Sequence, residues 1–217
     1  MDQATSLDHL EEPIEYPSSD GKPLADTDLH RQELLEIIQT LQDRFKNEDQ
    51  VYVSGDLMIY FEEGDAQKCR APDVIVVQGV EKRQRRTYKL WKEKKAPTLA
   101  MEILSKGTRN QDKKDKKPDY AQIGVDYYVL YDPEGTYLQP ALQVYRRTGN
   151  DYVPMVVSSG IFPCPPLGIS LSLGDDGLLV LTDLNTGEII PRLPDALKAA
   201  QEQVRALQEE IRRLKDR

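Results

Sequence analysis

Apolar residues recur at helical spacing soon after Asp26-Thr27. Leu34, Ile38, Leu41 and Phe45 stand four, three and four positions apart, so they share one face of a helix that either Asp26 or Thr27 can cap. Residues 50–61 (QVYVSGDLMIYF) read as one strand closed by the turn EEGD. Pro72-Asp73 introduces VIVV, a short apolar run of the kind found in central strands. A second buried-looking strand covers 98–104 (TLAMEIL), and a short helix is expected near 118–123. Three further strands follow at 127–131, 142–146 and 152–157, with turns at 132–135 and 148–151. Residues 160–192 are broken by Pro and Gly, with room for one small hairpin around 185–187. The order α, β, β, β, α, β, β predicts a mixed β-sheet flanked by helices, an α/β (α+β) fold.

The ends differ from the middle. Residues 1–22 are polar and acidic without periodicity and read as a flexible arm. From Asp195, the residues Leu197, Ala200, Val204, Leu207, Ile211 and Leu214 follow a heptad stripe, with Glu210 at a g position and Lys215 at the next e. Val and Ile at a with Leu at d suit a parallel homodimer. The alternatives are a helix lying on its own domain or frayed in solvent, since three heptads alone are marginal. The expected organisation is thus an arm (1–22), a domain (23–192) and a coiled-coil-like C-terminal helix (193–217).

Composition narrows the function classes. The 217 residues carry a net charge of −8, yet residues 81–117 hold 14 Lys+Arg against 5 Asp+Glu. A positive segment inside an acidic chain points to a polyanion site, or to a solvated surface. Two cysteines (Cys69, Cys164) and two histidines (His9, His30) exclude a disulfide scaffold and a Cys- or His-built metal cage. No apolar run reaches the length of a membrane span, and the acidic N-terminus lacks the apolar core of a signal peptide, so a cytoplasmic protein with no membrane partner is expected.

Two acids carry the candidate chemistry. Glu102 lies in LAMEIL among apolar neighbours, where an unpaired carboxylate is costly and must face a pocket, a partner or a metal. In an alternating strand it shares a face with Ala100 and Leu104. Asp73 stands at the start of another strand, where it can also serve a turn. Two carboxylates on adjacent strands can hold a hard divalent cation, and a lysine beside them can orient a nucleophile or stabilise developing phosphoryl charge.

Pro72-Asp73-Val-Ile-Val-Val, Glu102-Ile-Leu-Ser105, Thr108, Asp112, Lys116, Tyr120 and Gly124-Val125-Asp126-Tyr127-Tyr128 together resemble the Uma-two family. These are restriction-endonuclease-like proteins common in cyanobacteria and assigned to the PD-(D/E)XK nuclease superfamily. The resemblance runs from about His30 to the 186–188 region. It implies a restriction-endonuclease-like core and an endonuclease that uses Mg²⁺ (or Mn²⁺) to hydrolyse phosphodiester bonds in nucleic acid, DNA first. Asp73 and Glu102 match the family's metal-binding residues. The superfamily's usual lysine position holds Leu104, and Lys116 matches the place where related families carry the lysine on the following helix. Pro118 belongs in a helix's first turn, so Lys116 is expected just before that helix.

Lys106, Arg109, Lys113 and Lys114 are the expected nucleic-acid contacts. Glu33 or Glu36 is a candidate for a supporting or second-metal role, against the plainer expectation of an exposed helix acid. His30 is expected at the surface or its border, Tyr120, Tyr127 and Tyr128 in packing, Cys69 as an idle thiol, and Trp91 as a loop anchor or a base-stacking ring. The competing function is a catalytically inactive nuclease-fold protein that binds nucleic acid or assembles with protein.

Overall fold

The computed structural model describes residues 14–19, 21, 27–105 and 116–215. Helix α1 (Asp28–Arg44) begins at Thr27, whose extended backbone lets its Oγ1 accept from the His30 amide at 3.1 Å. Past its C-terminus, Lys82 Nζ donates to the carbonyls of Phe45 (2.7 Å) and Lys46 (3.1 Å). Leu34, Ile37, Leu41 and Phe45 are buried, with Ile38 only partly so. The apolar face is wider than the 34/38/41/45 spacing predicts because α1 shares its core with two sheets.

The main sheet contains β1 (Val51–Ser54), β4 (Val74–Gln78), β6 (Leu99–Ile103), β7 (Tyr127–Tyr131), β8 (Leu142–Thr148) and β9 (Asp151–Pro154), in the order β1-β4-β6-β7-β8-β9. Neighbours pair antiparallel except β6 and β7, which are parallel. A parallel pair needs a crossover, and the connection here includes the helix Lys117–Ile123. β6 and β7 are buried throughout and β4 at all but its last residue, as expected of strands covered on both faces. Val74, Val76, Leu99, Met101 and Ile103 face the α1 core, and Ile75, Val77, Ala100 and Leu104 face a second core on the opposite side.

The single strand expected over 50–61 is two. β1 stops at Ser54, and β2 (Ile59–Tyr60) joins a separate sheet between β3 (Cys69–Arg70) and β5 (Tyr88–Lys89). Gly55 makes the break: a Cβ there would lie 2.1 Å from the Asp73 carbonyl oxygen and 2.4 Å from Ile38 Cδ1. Asp56 then adopts φ +48° and donates its amide to the Pro72 carbonyl at 2.9 Å.

The basic connection folds back on itself. It holds β5 and the short helix α2 (Leu90–Glu93). Arg85 donates to both carboxylate oxygens of Glu93 (2.9 and 3.0 Å) and lies over the Tyr52 ring, while Arg83 donates to the same Glu93 at 2.8 Å. The Arg85 hydrogen bond holds the Glu93 carboxyl below its ordinary range, against burial. Trp91 packs 5.4 Å from Tyr16, which in turn meets Tyr60 of β2 edge-on, so Trp91 is linked to the small sheet through Tyr16.

Residues 160–192 form more than one hairpin. β10 (Phe162–Cys164), β11 (Ile169–Leu173), β12 (Leu179–Asp183) and β13 (Ile189–Ile190) make a four-stranded antiparallel sheet that closes the α1 core. The turn around 185–187 joins β12 to β13. Pro163 within β10, and Pro165 and Pro166 just after it, disguise that edge strand in the sequence, since proline is tolerated mainly at sheet edges.

The helix at 117–123 is α3, and α4 (Leu193–Lys215) ends the described chain. Leu197, Val204 and Leu207 of α4 are each about half exposed. No helix among the described residues is long and apolar enough to cross a membrane.

Candidate active site

Strand register brings the two acids together. Val74 pairs with Met101 and Ile75 with Ala100; one step further along the same register, Asp73 stands opposite Glu102. Alternation puts Glu102 on the face of β6 shared with Ala100 and Leu104, toward the second core. Asp73 lies just before β4, where its Oδ2 accepts from the Ile103 amide at 2.7 Å. That bond ties the carboxylate to the residue following Glu102.

Glu102 is almost fully buried, and α3 supplies donors to both of its oxygens. Lys116 Nζ lies 2.7 Å from Oε2, and the Tyr120 hydroxyl donates a short hydrogen bond to Oε1. Lys116 is the N-cap of α3 and Pro118 occupies its first turn, so the lysine sits at the helix entrance rather than within it. Residues four apart lie on one helix face, which is why Lys116 and Tyr120 reach the same carboxylate. Burial first, and then the negative charge of Glu102, push the Tyr120 phenol well above its ordinary range. The start of α3 is tethered by an ion pair between Arg70 on β3 and Asp119.

His30 approaches from α1. It is buried, and its Nε2 lies 3.6 Å from Asp73 Oδ2. The expectation of a surface position was wrong. His30 lies four residues before Leu34, on the apolar stripe itself, and that spacing was the available signal. Tyr120 was expected only in packing. It does pack, 5.1 Å from the Tyr128 ring, but its hydroxyl also holds Glu102. Its position four after Lys116 was the signal.

Glu33 and Glu36 are drawn elsewhere. Glu33 is fully buried rather than exposed. It accepts from Arg192 at 2.7 and 2.9 Å and from the Tyr131 hydroxyl at 3.0 Å, and Arg192 also pairs with Glu36. These contacts raise the Arg192 pKa above its ordinary value, the Glu33 hydrogen bonds most strongly. Arg192 was not singled out in the sequence, since an arginine before a proline-capped helix has no local signature.

Lys106, Arg109, Lys113 and Lys114, with Thr108 and Asp112 of the motif, lie outside the described residues. Among the described residues, no group of three His, Cys, Asp or Glu side chains forms a metal cage. Asp73 and Glu102 instead offer two carboxylates. That donor set fits Mg²⁺, which keeps several waters and is commonly held by one or two carboxylates together with substrate phosphate.

The site thus combines a helix packed on a mixed sheet, a carboxylate pair where two antiparallel strands meet, and a lysine at the head of the crossover helix. The chain belongs to the Uma2 family, described as "Putative restriction endonuclease", whose family model matches residues 2–174. A solved structure from Anabaena variabilis, described as "a putative nuclease belonging to DUF820", is similar at 17% identity and a TM-score of 0.48. That match covers 67% of this chain and 76% of the other. No curated protein matches the sequence.

Proposed function

We propose that this protein is a divalent-metal-dependent endonuclease acting on DNA. The observation that carries the reading is the facing of Asp73 and Glu102 across paired strands, with Lys116 on Glu102 Oε2. Asp73 and Glu102 would hold Mg²⁺ or Mn²⁺. When bound, such an ion activates a water and neutralises charge developing on the phosphoryl group. The Ile103 amide fixes Asp73 before substrate arrives, so little reorganisation accompanies reaction. Lys116 supplies a positive charge beside the same carboxylate, suited to orienting the attacking water or stabilising the pentavalent phosphorus. Lys106, Arg109, Lys113 and Lys114 are assigned to phosphate contacts. Arg83 and Arg85 are engaged by Glu93, which leaves less of the 81–95 run for nucleic acid. The half-exposed Leu197, Val204 and Leu207 on the heptad stripe support pairing of two copies through α4, which suits cleavage of both strands.

Asp73→Asn and Glu102→Gln are expected to abolish Mg²⁺-dependent nicking of supercoiled plasmid while the circular dichroism spectrum is unchanged. Undiminished cleavage by both variants would overturn the assignment. The competing reading, a nuclease fold retained only for binding, draws on Leu104, buried where the superfamily usually has lysine. Mn²⁺ titration calorimetry separates the two. A binding module takes up no metal through Asp73 and Glu102.

A further inference from the structure

We propose that Tyr120 is a positioning residue for Glu102: its hydroxyl fixes Oε1 so that Oε2 is the oxygen presented to the cation. The inference rests on the metal-dependent reading above and adds a role for a tyrosine that this reading does not use.

Among the described residues, Tyr120 and Lys116 both donate to Glu102 and differ in freedom. Tyr120 is fully buried, and its ring is wedged against Tyr128 in a core that also holds Ala121 and Ile123 of its own helix. It cannot leave Oε1 without opening that core. The Lys116 side chain is 19% exposed and enters from the flexible end of a four-carbon stem. It can swing away from Oε2. A carboxylate has roughly four lone-pair sites, so a fixed donor on one oxygen still leaves the other able to meet a cation. A neutral hydroxyl also holds the carboxylate without competing for that cation as a second ammonium would. Groups that orient a metal ligand in this way typically matter by roughly 10–100-fold in metal affinity or activity.

Tyr152 provides an internal control. Its hydroxyl donates to the Val125 carbonyl at 2.7 Å in the same core, remote from the carboxylates in bonding. Mn²⁺ affinity of the full chain is measured by calorimetry for wild type, Tyr120→Phe and Tyr152→Phe, below the melting temperature of all three. Tyr120→Phe is expected to weaken Mn²⁺ binding by about 10–100-fold and lower kcat, with KM for DNA little changed. Tyr152→Phe is expected to lower the melting temperature and leave Mn²⁺ affinity at the wild-type value. Wild-type affinity in Tyr120→Phe would overturn the positioning role while leaving the nuclease reading intact. Absence of Mn²⁺ binding by the wild type itself would overturn the nuclease reading, and the positioning role with it. If Tyr120→Phe does not fold, the wild type labelled with ¹³C-tyrosine and titrated with Mg²⁺ decides. The Tyr120 ring signal should shift saturably while that of Tyr152 stays. A stationary Tyr120 signal under saturable binding would reject the proposal.

Discussion

Gly55 contributes nothing chemical to the site, yet it sets the position of Asp73. The Asp73 carbonyl lies where a Cβ at residue 55 would have to go, and Ile38 closes the other side. Gly55→Ala must therefore push β1 away from the strand that carries the carboxylate. The expected cost is about 1–3 kcal/mol, read as a fall in the urea midpoint at unchanged m-value. The two thiols offer a second residue-scale contrast. Burial pushes the Cys164 thiol up to about 12, whereas Cys69 is only half-buried. A raised folded pKa for an acid means that the unfolded chain deprotonates first. Stability therefore falls as pH climbs above the unfolded thiol value of about 8.5. A thiol reagent at pH 8 should modify Cys69 in the native protein and Cys164 only at the rate of unfolding. Equal labelling of both in the native state would contradict the packing described for Cys164.

At the scale of elements, the least obvious joint is between the two long helices. Arg192 precedes α4 and reaches across to Glu33 and Glu36 on α1, with Tyr131 of β7 completing the set. Glu33 is fully buried and is held by these partners. Breaking a buried pair costs far more than forming it contributes, because one charge is left without compensation. Arg192→Met should accordingly destabilise the chain by about 3–5 kcal/mol in denaturant titration. A loss below about 1 kcal/mol would mean that solvent reaches Glu33 freely. Glu33 lies one helical turn from His30, which touches Asp73. The same turn of α1 therefore serves a structural ion cluster on one side and the candidate site on the other.

At the scale of the molecule, Leu197, Val204 and Leu207 line up along α4 and are each about half exposed. Deleting residues 195–217 keeps Arg192 and hence the ion cluster, so the cut tests association without dismantling the core. Light scattering should report a dimer for the full chain and a monomer after deletion. An unchanged mass would retire the coiled-coil pairing.

Much of the plan is written locally. The alternation and apolar runs of β4, β6 and β7, the cap at Thr27 and the helix start at Pro118 are short-range signals, and each is decided by residues within a few positions of one another. Glu102 announces itself the same way, as a charge inside an apolar run. What local pattern cannot carry is partnership across long sequence separation. The burial of Glu33 depends on Arg192, the break after β1 depends on the Asp73 carbonyl, and the place of His30 depends on the strand end against which α1 packs. The strands of 162–190 likewise become a sheet only because α1 offers them an apolar face. The sequence by itself determined α1, β4, β6, β7 and α3, and which carboxylate had to find a partner, since propensity and periodicity act within a few residues. Tertiary structure alone decided which side chains meet, because that choice belongs to register and packing between segments far apart in the chain.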